Sequence, residues 1–221
     1  MIKKRLGFNR TFAGVILFSL ALLVSQFGIL GYADDASALQ KIKKSGKLVV
    51  GTSADYPPYE FHLLNDKEGE LVGIDIDIAK AIAKDLGVEL EVKDLIFSKI
   101  FKELGAGKID MAIAGLHPTE ERKKVAQFSD VYYQAIQTVV IRKDNLKKIN
   151  SIEDLRGKKV GTQKDSIQES MARSQITGAV FVAMDDIDDL VKSLRTKKDI
   201  DAVILEKPVA QSYVHRFKDL A

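Results

Sequence analysis

The sequence predicts an α/β protein of two lobes, each a mostly parallel sheet flanked by helices. Two observations carry that prediction. Short strands rich in β-branched residues alternate with amphipathic helices along the 221-residue chain, the pattern of parallel sheets joined by helical crossovers. A two-part unit also occurs twice, in the same order. A strand ending in Gly51-Thr52-Ser53 is followed later by Lys108-Ile109-Asp110-Met111-Ala112-Ile113, and a strand ending in Gly161-Thr162-Gln163 is followed later by Asp199-Ile200-Asp201-Ala202-Val203-Ile204. Each Ile-Asp segment comes after an amphipathic helix.

The elements follow in order. Residues 34–46 carry a short polar helical pattern that ends at Gly46, and the first strand is 47–51. Ile74, Ile78, Ile82 and Leu86 then recur every fourth residue, with Gly87 placed to end the helix. Residues 88–92 form the next strand, Ile100, Phe101 and Leu104 mark a helix before Gly105 and Gly107, and 111–114 is the first Ile-Asp strand. Residues 138–144 are extended and β-branched, the strand that crosses between lobes, and 151–154 starts a short helix. In the second lobe, 158–161 is a strand and Ser166-Ile167-Gln168-Glu169 has the form of a capping box. After the strand 179–183, Asp186 precedes the stripe Ile187, Leu190, Val191 and Leu194, with acids in the first turn and Lys192, Arg195, Lys197 and Lys198 near the end. The last strand is 202–205. The chain thus divides into an N-terminal segment 1–33, a first lobe 34–138, a hinge strand 139–144 and a second lobe 145–221.

Composition narrows the function. Apolar residues make up 46% and charged residues 29%, the profile of a folded globular chain. There is no cysteine, which excludes disulfides, thiolate metal sites, a cysteine nucleophile and a lipid-accepting N-terminal cysteine. The three histidines, His62, His117 and His215, lack ligand spacing, so neither a metal nor a cofactor is expected. The net charge of +3 resides in the first 33 residues, where Lys3, Lys4, Arg5 and Arg10 face no acid. Setting those four aside leaves 30 basic residues against 31 acidic ones, and a near-neutral body gives no case for nucleic acid. That basic start, the apolar run to Leu30 and the small residues Gly31 and Ala33 before Asp34-Asp35 read as an export signal cleaved after Ala33. The alternative is a retained membrane anchor, since the run is about 20 residues long. Either places the rest of the chain outside the cytoplasm.

In open α/β sheets ligands bind beyond the carboxyl ends of the strands. That rule selects Ser53, Tyr56 and Tyr59 after the first strand, and Gly115, His117, Thr119 and Arg122 after the first Ile-Asp strand. In the second lobe it selects Gln163, Asp165, Ser166 and Gln168, and then Glu206. An aromatic wall, an arginine fork for a carboxylate and an acid for an ammonium suit a small zwitterion, and the helix start at Ser166 adds free amides. Singly these residues also have plainer readings. Arg122 lies in a charge run of the kind that faces solvent, Tyr56 and Tyr59 could pack a proline loop, and Ser166 and Glu206 could cap helices.

The motifs Gly51-Thr52-Ser53-Ala54-Asp55-Tyr56-Pro57-Pro58-Tyr59-Glu60-Phe61, Gly73-Ile74-Asp75-Ile76-Asp77-Ile78, Gly107-Lys108-Ile109-Asp110-Met111-Ala112-Ile113-Ala114-Gly115 and Thr119-Glu120-Glu121-Arg122-Lys123-Lys124, with Phe128-Ser129-Asp130 and Leu155-Arg156-Gly157, resemble the amino-acid-binding proteins of ABC importers, solute-binding protein family 3. The resemblance runs from about residue 38 to the end. It implies a two-lobed periplasmic-binding-protein-like fold, an exported protein that is not an enzyme, a free amino acid (polar or basic) as ligand, and an importer permease as partner. It implies further that Arg122 and the Ile167 amide hold the ligand carboxylate, that Glu206 and the Gly115 carbonyl take the ammonium, and that Tyr56 and Phe97 sandwich the side chain. Ser53, Gln163 and Gln168 would line its pocket. His117 departs from the family's usual Ser or Thr, Asp165 stands where Gly is common, and Ser53 stands where some binders of basic ligands have an acid. The family continues past the point where this chain stops, on the helix after Glu206, so the resemblance implies a missing C-terminal part and an incomplete first lobe. Two rival functions attach to the same fold: a cyclic-acid dehydratase, with Glu206 and His117 as acid–base pair, and a membrane-tethered amino-acid sensor.

Overall fold

The structure, a computed structural model, describes residues 33–63 and 69–221; all of the expected export signal except Ala33 lies outside them. The chain forms two units, one ending at Ser45 and one running from Gly46 to Ala221. In the first, helix α1 (Ala33–Ser45) carries Lys43 and Lys44 in its last turn, and the Ser45 hydroxyl donates to the Ile42 carbonyl at 2.9 Å. Among the described residues no helix is long and apolar enough to cross a membrane.

The second unit is built on two main sheets. In the first sheet β1 (Lys47–Thr52) lies between β5 (Glu89–Asp94) and β6 (Met111–Ala112), all parallel. The second sheet has the order β7 (Gln137–Ile141), β10 (Ala202–Glu206), β8 (Lys159–Gln163), β9 (Val180–Met184); β10, β8 and β9 are parallel and β7 is antiparallel at the edge. A small antiparallel sheet joins β2 (Asp55–Tyr56), β3 (Glu60–His62) and β4 (Leu71–Val72).

The repeated Ile-Asp segment does the same job in both main sheets. The Asp110 amide donates to the Val49 carbonyl at 2.8 Å, while its Oδ2 accepts from the Val49 amide at 2.9 Å. Asp201 treats Lys159 identically, with its amide at 2.8 Å and Oδ2 at 2.9 Å. One aspartate thereby satisfies both backbone groups of the residue beside it at the start of the sheet. The preceding Ile109 and Ile200, each 2% exposed, anchor the adjoining core.

Helix α6 (Ile187–Lys192) buries Ile187, Leu190 and Val191, and Leu194 follows in a π turn, as its apolar stripe predicts. Helix α2 (Ile74–Leu86) ends at Gly87 as expected, with Gly87 in the left-handed region. Its buried face is Asp75, Ile76, Ala79 and Ala83, and Ile74 is 45% exposed. Ile76 is buried beside the two alanines, and the row of Ile74, Ile78, Ile82 and Leu86 lies off this face, none of its members being buried. Tyr56 and Tyr59, from the early part of the chain, pack into the core of the second sheet with Val140, Val203, Leu205 and Tyr213.

Two boundaries also differ from expectation. The crossing strand stops at Ile141 and is the edge of the second sheet. Helix α7 (Lys207–Arg216) ends before the chain does. Ile141 and Ala221 exchange both backbone bonds at 2.9 Å, and Lys143 donates to Asp219 at 2.8 Å. The final residues thus lie on β7, not on the helix.

Candidate functional site

The strand ends of the two main sheets converge on one pocket. Nine of the residues named from sequence line it: Ser53, Tyr56, Phe97, Gly115, His117, Arg122, Gln163, Ile167 and Gln168. Glu206, the tenth, closes β10 and lines an adjoining cavity of about 400 Å³ with Tyr59, Gly115 and His117. The pocket itself holds only about 10 Å³ of free space, the room of roughly one water.

Arg122 lies on the short helix α4 (Glu120–Lys123), the next after α3 (Ile100–Gly105), and its N-cap Thr119 accepts from the Arg122 amide at 3.2 Å. The charge run therefore does not leave it in solvent. Its guanidinium carbon sits 5.5 Å from the Phe97 ring centre and 5.2 Å from that of Phe101, and the aromatic faces stabilise the cation. One nitrogen donates to the His117 carbonyl at 3.2 Å; another crosses to the Asp165 carbonyl, beside the second sheet, at 3.1 Å. Asp165 holds φ at 59°, the left-handed region that glycine favours and aspartate tolerates.

Helix α5 (Ile167–Gln175) starts where predicted. Ser166 Oγ accepts from the Glu169 amide at 3.2 Å and donates to the Gln163 carbonyl at 2.6 Å. The Glu169 carboxylate takes the Asp165 amide at 3.0 Å, one residue earlier than a standard capping box requires. Gln168 reaches the Tyr56 hydroxyl at 3.2 Å and Gln137 at 3.0 Å. Tyr56 stacks on Tyr59 with ring centres 5.7 Å apart.

Sequence reasoning missed three acids. Asp55 and Glu60 both line the pocket, 8% and 1% exposed. Asp55 Oδ2 accepts from the Ile187 amide at 2.7 Å and from Gln163 at 3.3 Å, and burial pushes its carboxyl up to about 7. Burial pushes Glu60 up as well, and neighbouring Asp75 adds to the shift. Among the described residues Glu60 Oε2 meets no donor group, and its side-chain hydrogen bond with Asp75 favours the protonated carboxyl. Asp75, fully buried on α2, accepts from Tyr132 at 3.0 and 2.9 Å and from the Gly115 amide at 3.0 Å. The available signal was two acids flanking Tyr56-Pro57-Pro58-Tyr59, which the β2–β3 pairing of Tyr56 with Glu60 folds onto the pocket.

Glu206 is 3% exposed. Burial raises its carboxyl above the ordinary value, while the Tyr59 and Gln137 side chains pull the other way. His117 Nδ1 stands 3.8 Å from Glu206 Oε1. Among the described residues no group of three or more histidines and acids could hold a metal ion.

A model of the bacterial extracellular solute-binding proteins, family 3, matches residues 48–207. The arginine-binding extracellular protein ArtP of Bacillus subtilis is 40% identical over 207 residues, which span 91% of this chain and 77% of the relative. The L-cystine-binding protein TcyJ of Escherichia coli is 30% identical over 197 residues, 89% of this chain and 72% of the relative. The solved structure of the amino acid ABC transporter substrate-binding protein AbpA of Streptococcus pneumoniae, bound to L-arginine, superposes with a TM-score of 0.78 at 41% identity. That match covers 82% of this chain and 76% of the other.

Proposed function

Because the chain belongs to the bacterial extracellular solute-binding proteins, family 3, we propose that its cleft captures a free basic amino acid, L-arginine foremost, for delivery to the permease of an ABC importer. Arg122 and the Ile167 amide take the carboxylate, and Glu206 with the Gly115 carbonyl takes the ammonium. Tyr56 and Phe97 flank the side chain, with Ser53, Gln163, Gln168 and His117 around it. The observation that carries the basic side chain is Glu60, buried in the pocket with one oxygen that meets no donor group and with the acids Asp55 and Asp75 beside it. A guanidinium supplies the donors and the opposite charge that let such a buried acid ionise. The lobes divide at 34–138 and 145–221 with 139–144 as hinge, and the N-terminal segment directs export by cleavage after Ala33 or anchors the chain. Mass spectrometry of the native N-terminus separates those two.

Isothermal titration with L-arginine tests the site. Arg122→Ala leaves the ligand carboxylate buried without its fork, which costs about 2–5 kcal/mol, on the order of 30-fold to several thousand-fold in affinity. Unchanged affinity would return Arg122 to the role of a helix-surface charge. Glutamine, with no cationic group to set against Glu60, binds more weakly than arginine; equal binding removes the assignment of a basic ligand.

A further inference from the structure

We propose that His117 competes with the ligand's ammonium for Glu206, so that acidification of the medium releases the amino acid. The proposal rests on the reading of Glu206 as the ammonium partner. It starts from the position of the ring: His117 follows β6, Glu206 closes β10, and their side chains meet at 3.8 Å. A hydroxyl at position 117 could only bridge the ligand's charged groups. An imidazole can acquire the same charge that the ammonium brings.

The surroundings settle the sign. Burial holds the imidazolium below the ordinary histidine value and the Arg122 cation acts in the same direction, against a hydrogen bond to the Gly115 backbone. Near neutral pH the ring is therefore uncharged and Glu206 is left to the ligand. The other groups facing this pair are Tyr59 and Gln137 beside Glu206, Asp75 acting on Glu206 from α2, and Asp130, Tyr132 and Tyr133 across the adjoining cavity. Among the described residues Arg122 is the one further cation of the pocket lining, and Asp55 and Glu60 are its further acids, Glu60 pushed up in part by Glu206. In the ligand-free cleft a proton on His117 gains the Glu206 carboxylate. In the complex that carboxylate is already matched by the ammonium, the two cations repel, and Arg122 already neutralises the ligand carboxylate. The ligand-free protein thus holds the proton more tightly, binding expels it, and affinity falls as pH falls.

L-arginine titrations at about pH 8 and about pH 5.5 read this directly, because the pH interval spans histidine titration. The share of the acid loss that His117 carries should be about fivefold, the scale of a partly exposed ion pair, so the drop in affinity should be about fivefold smaller in His117→Ser than in the parent, what remains coming from the buried acids Asp55, Glu60 and Glu206. In the ligand-free protein, the NMR titration midpoint of the His117 ring should fall in Glu206→Gln and fall again when L-arginine is added to the parent. The same acid loss in His117→Ser, or a midpoint indifferent to Glu206→Gln, overturns the competition while leaving amino-acid binding in place. Failure of any amino acid to bind at about pH 8 overturns the binding reading itself, and this inference with it.

Discussion

Asp55 shows what burial does to one charge in this molecule. Its carboxyl is held up near 7 because desolvation outweighs the Ile187 amide that bonds it, and Asp186 and Asp188 push the same way. In the unfolded chain the same group titrates near the ordinary aspartate value. Below that value both states are protonated and its ionisation costs the fold nothing. As pH rises to about 7 the unfolded chain ionises and the folded one resists, so stability is lost across that window, at most about 4 kcal/mol from this residue. Thermal unfolding from about pH 5 to about pH 8 should show a falling midpoint, and Asp55→Asn should flatten it. A midpoint that rises with pH in the parent but not in Asp55→Asn would mean that Asp55 is ionised and well matched. At this scale the site was half legible. Arg122, Glu206 and Gln163 could be named because strand ends in an α/β sheet point to a cleft. Asp55, Glu60 and Asp75 could not, because an acid beside prolines or early in a helix ordinarily faces water. Only the fold reveals that these three do not.

At the scale of elements, the turn at Gly73 locks the small sheet to α2. The Ile74 amide donates to Pro58 at 3.1 Å and the Asp75 amide to Tyr59 at 2.9 Å. Gly73 has φ of 127°, and a Cβ there would lie 2.1 Å from the Tyr59 carbonyl oxygen. Gly73→Ala must therefore shift backbone, not a side-chain tip. It should cost about 3 kcal/mol or more, read as a lower urea midpoint, and it should weaken ligand binding because Tyr59 and Glu60 move with the turn. A midpoint within experimental error of the parent would show that the turn is soft. Element by element, the fold could be read where side-chain chemistry repeats. The Ile-Asp segments, the Ser166 cap and the α6 stripe are all in place. The i+4 recurrence of Ile74, Ile78, Ile82 and Leu86 signalled the helix but not its burial face, which is Asp75, Ile76, Ala79 and Ala83. The pairing of residues 219–221 with 141–143 had no local signal, since it joins segments about 80 residues apart in a chain whose backbone bonds are blind to side-chain type.

Across the whole of residues 46–221, the two main sheets already hold each other. Arg122 bonds to Asp165, Gln168 to Tyr56, Asp55 to Ile187, and the Ser98 hydroxyl to Asp185 at 2.9 Å. With about 10 Å³ free between them, an amino acid enters only if these contacts part. Ser98→Ala removes one contact that lies outside the pocket lining. It loosens the closed form with and without ligand alike, so association and dissociation should both accelerate, about two- to fivefold, with Kd nearly constant. Faster dissociation alone would show that the ligand-free protein is already open. The same cross-links have a consequence for the order of assembly. The Tyr213 hydroxyl grips the Asp55 carbonyl across 158 residues, the Ile187 amide reaches Asp55 across 132, and Gln168 reaches Tyr56 across 112. Such distant closures form late, because their loop entropy must be met before they contribute. During synthesis, amino end first, β1 can find β5 and β6 early. The segment bearing Tyr56 and Glu60 waits for its holders, and a chain interrupted before Tyr213 has a first sheet and no receptor.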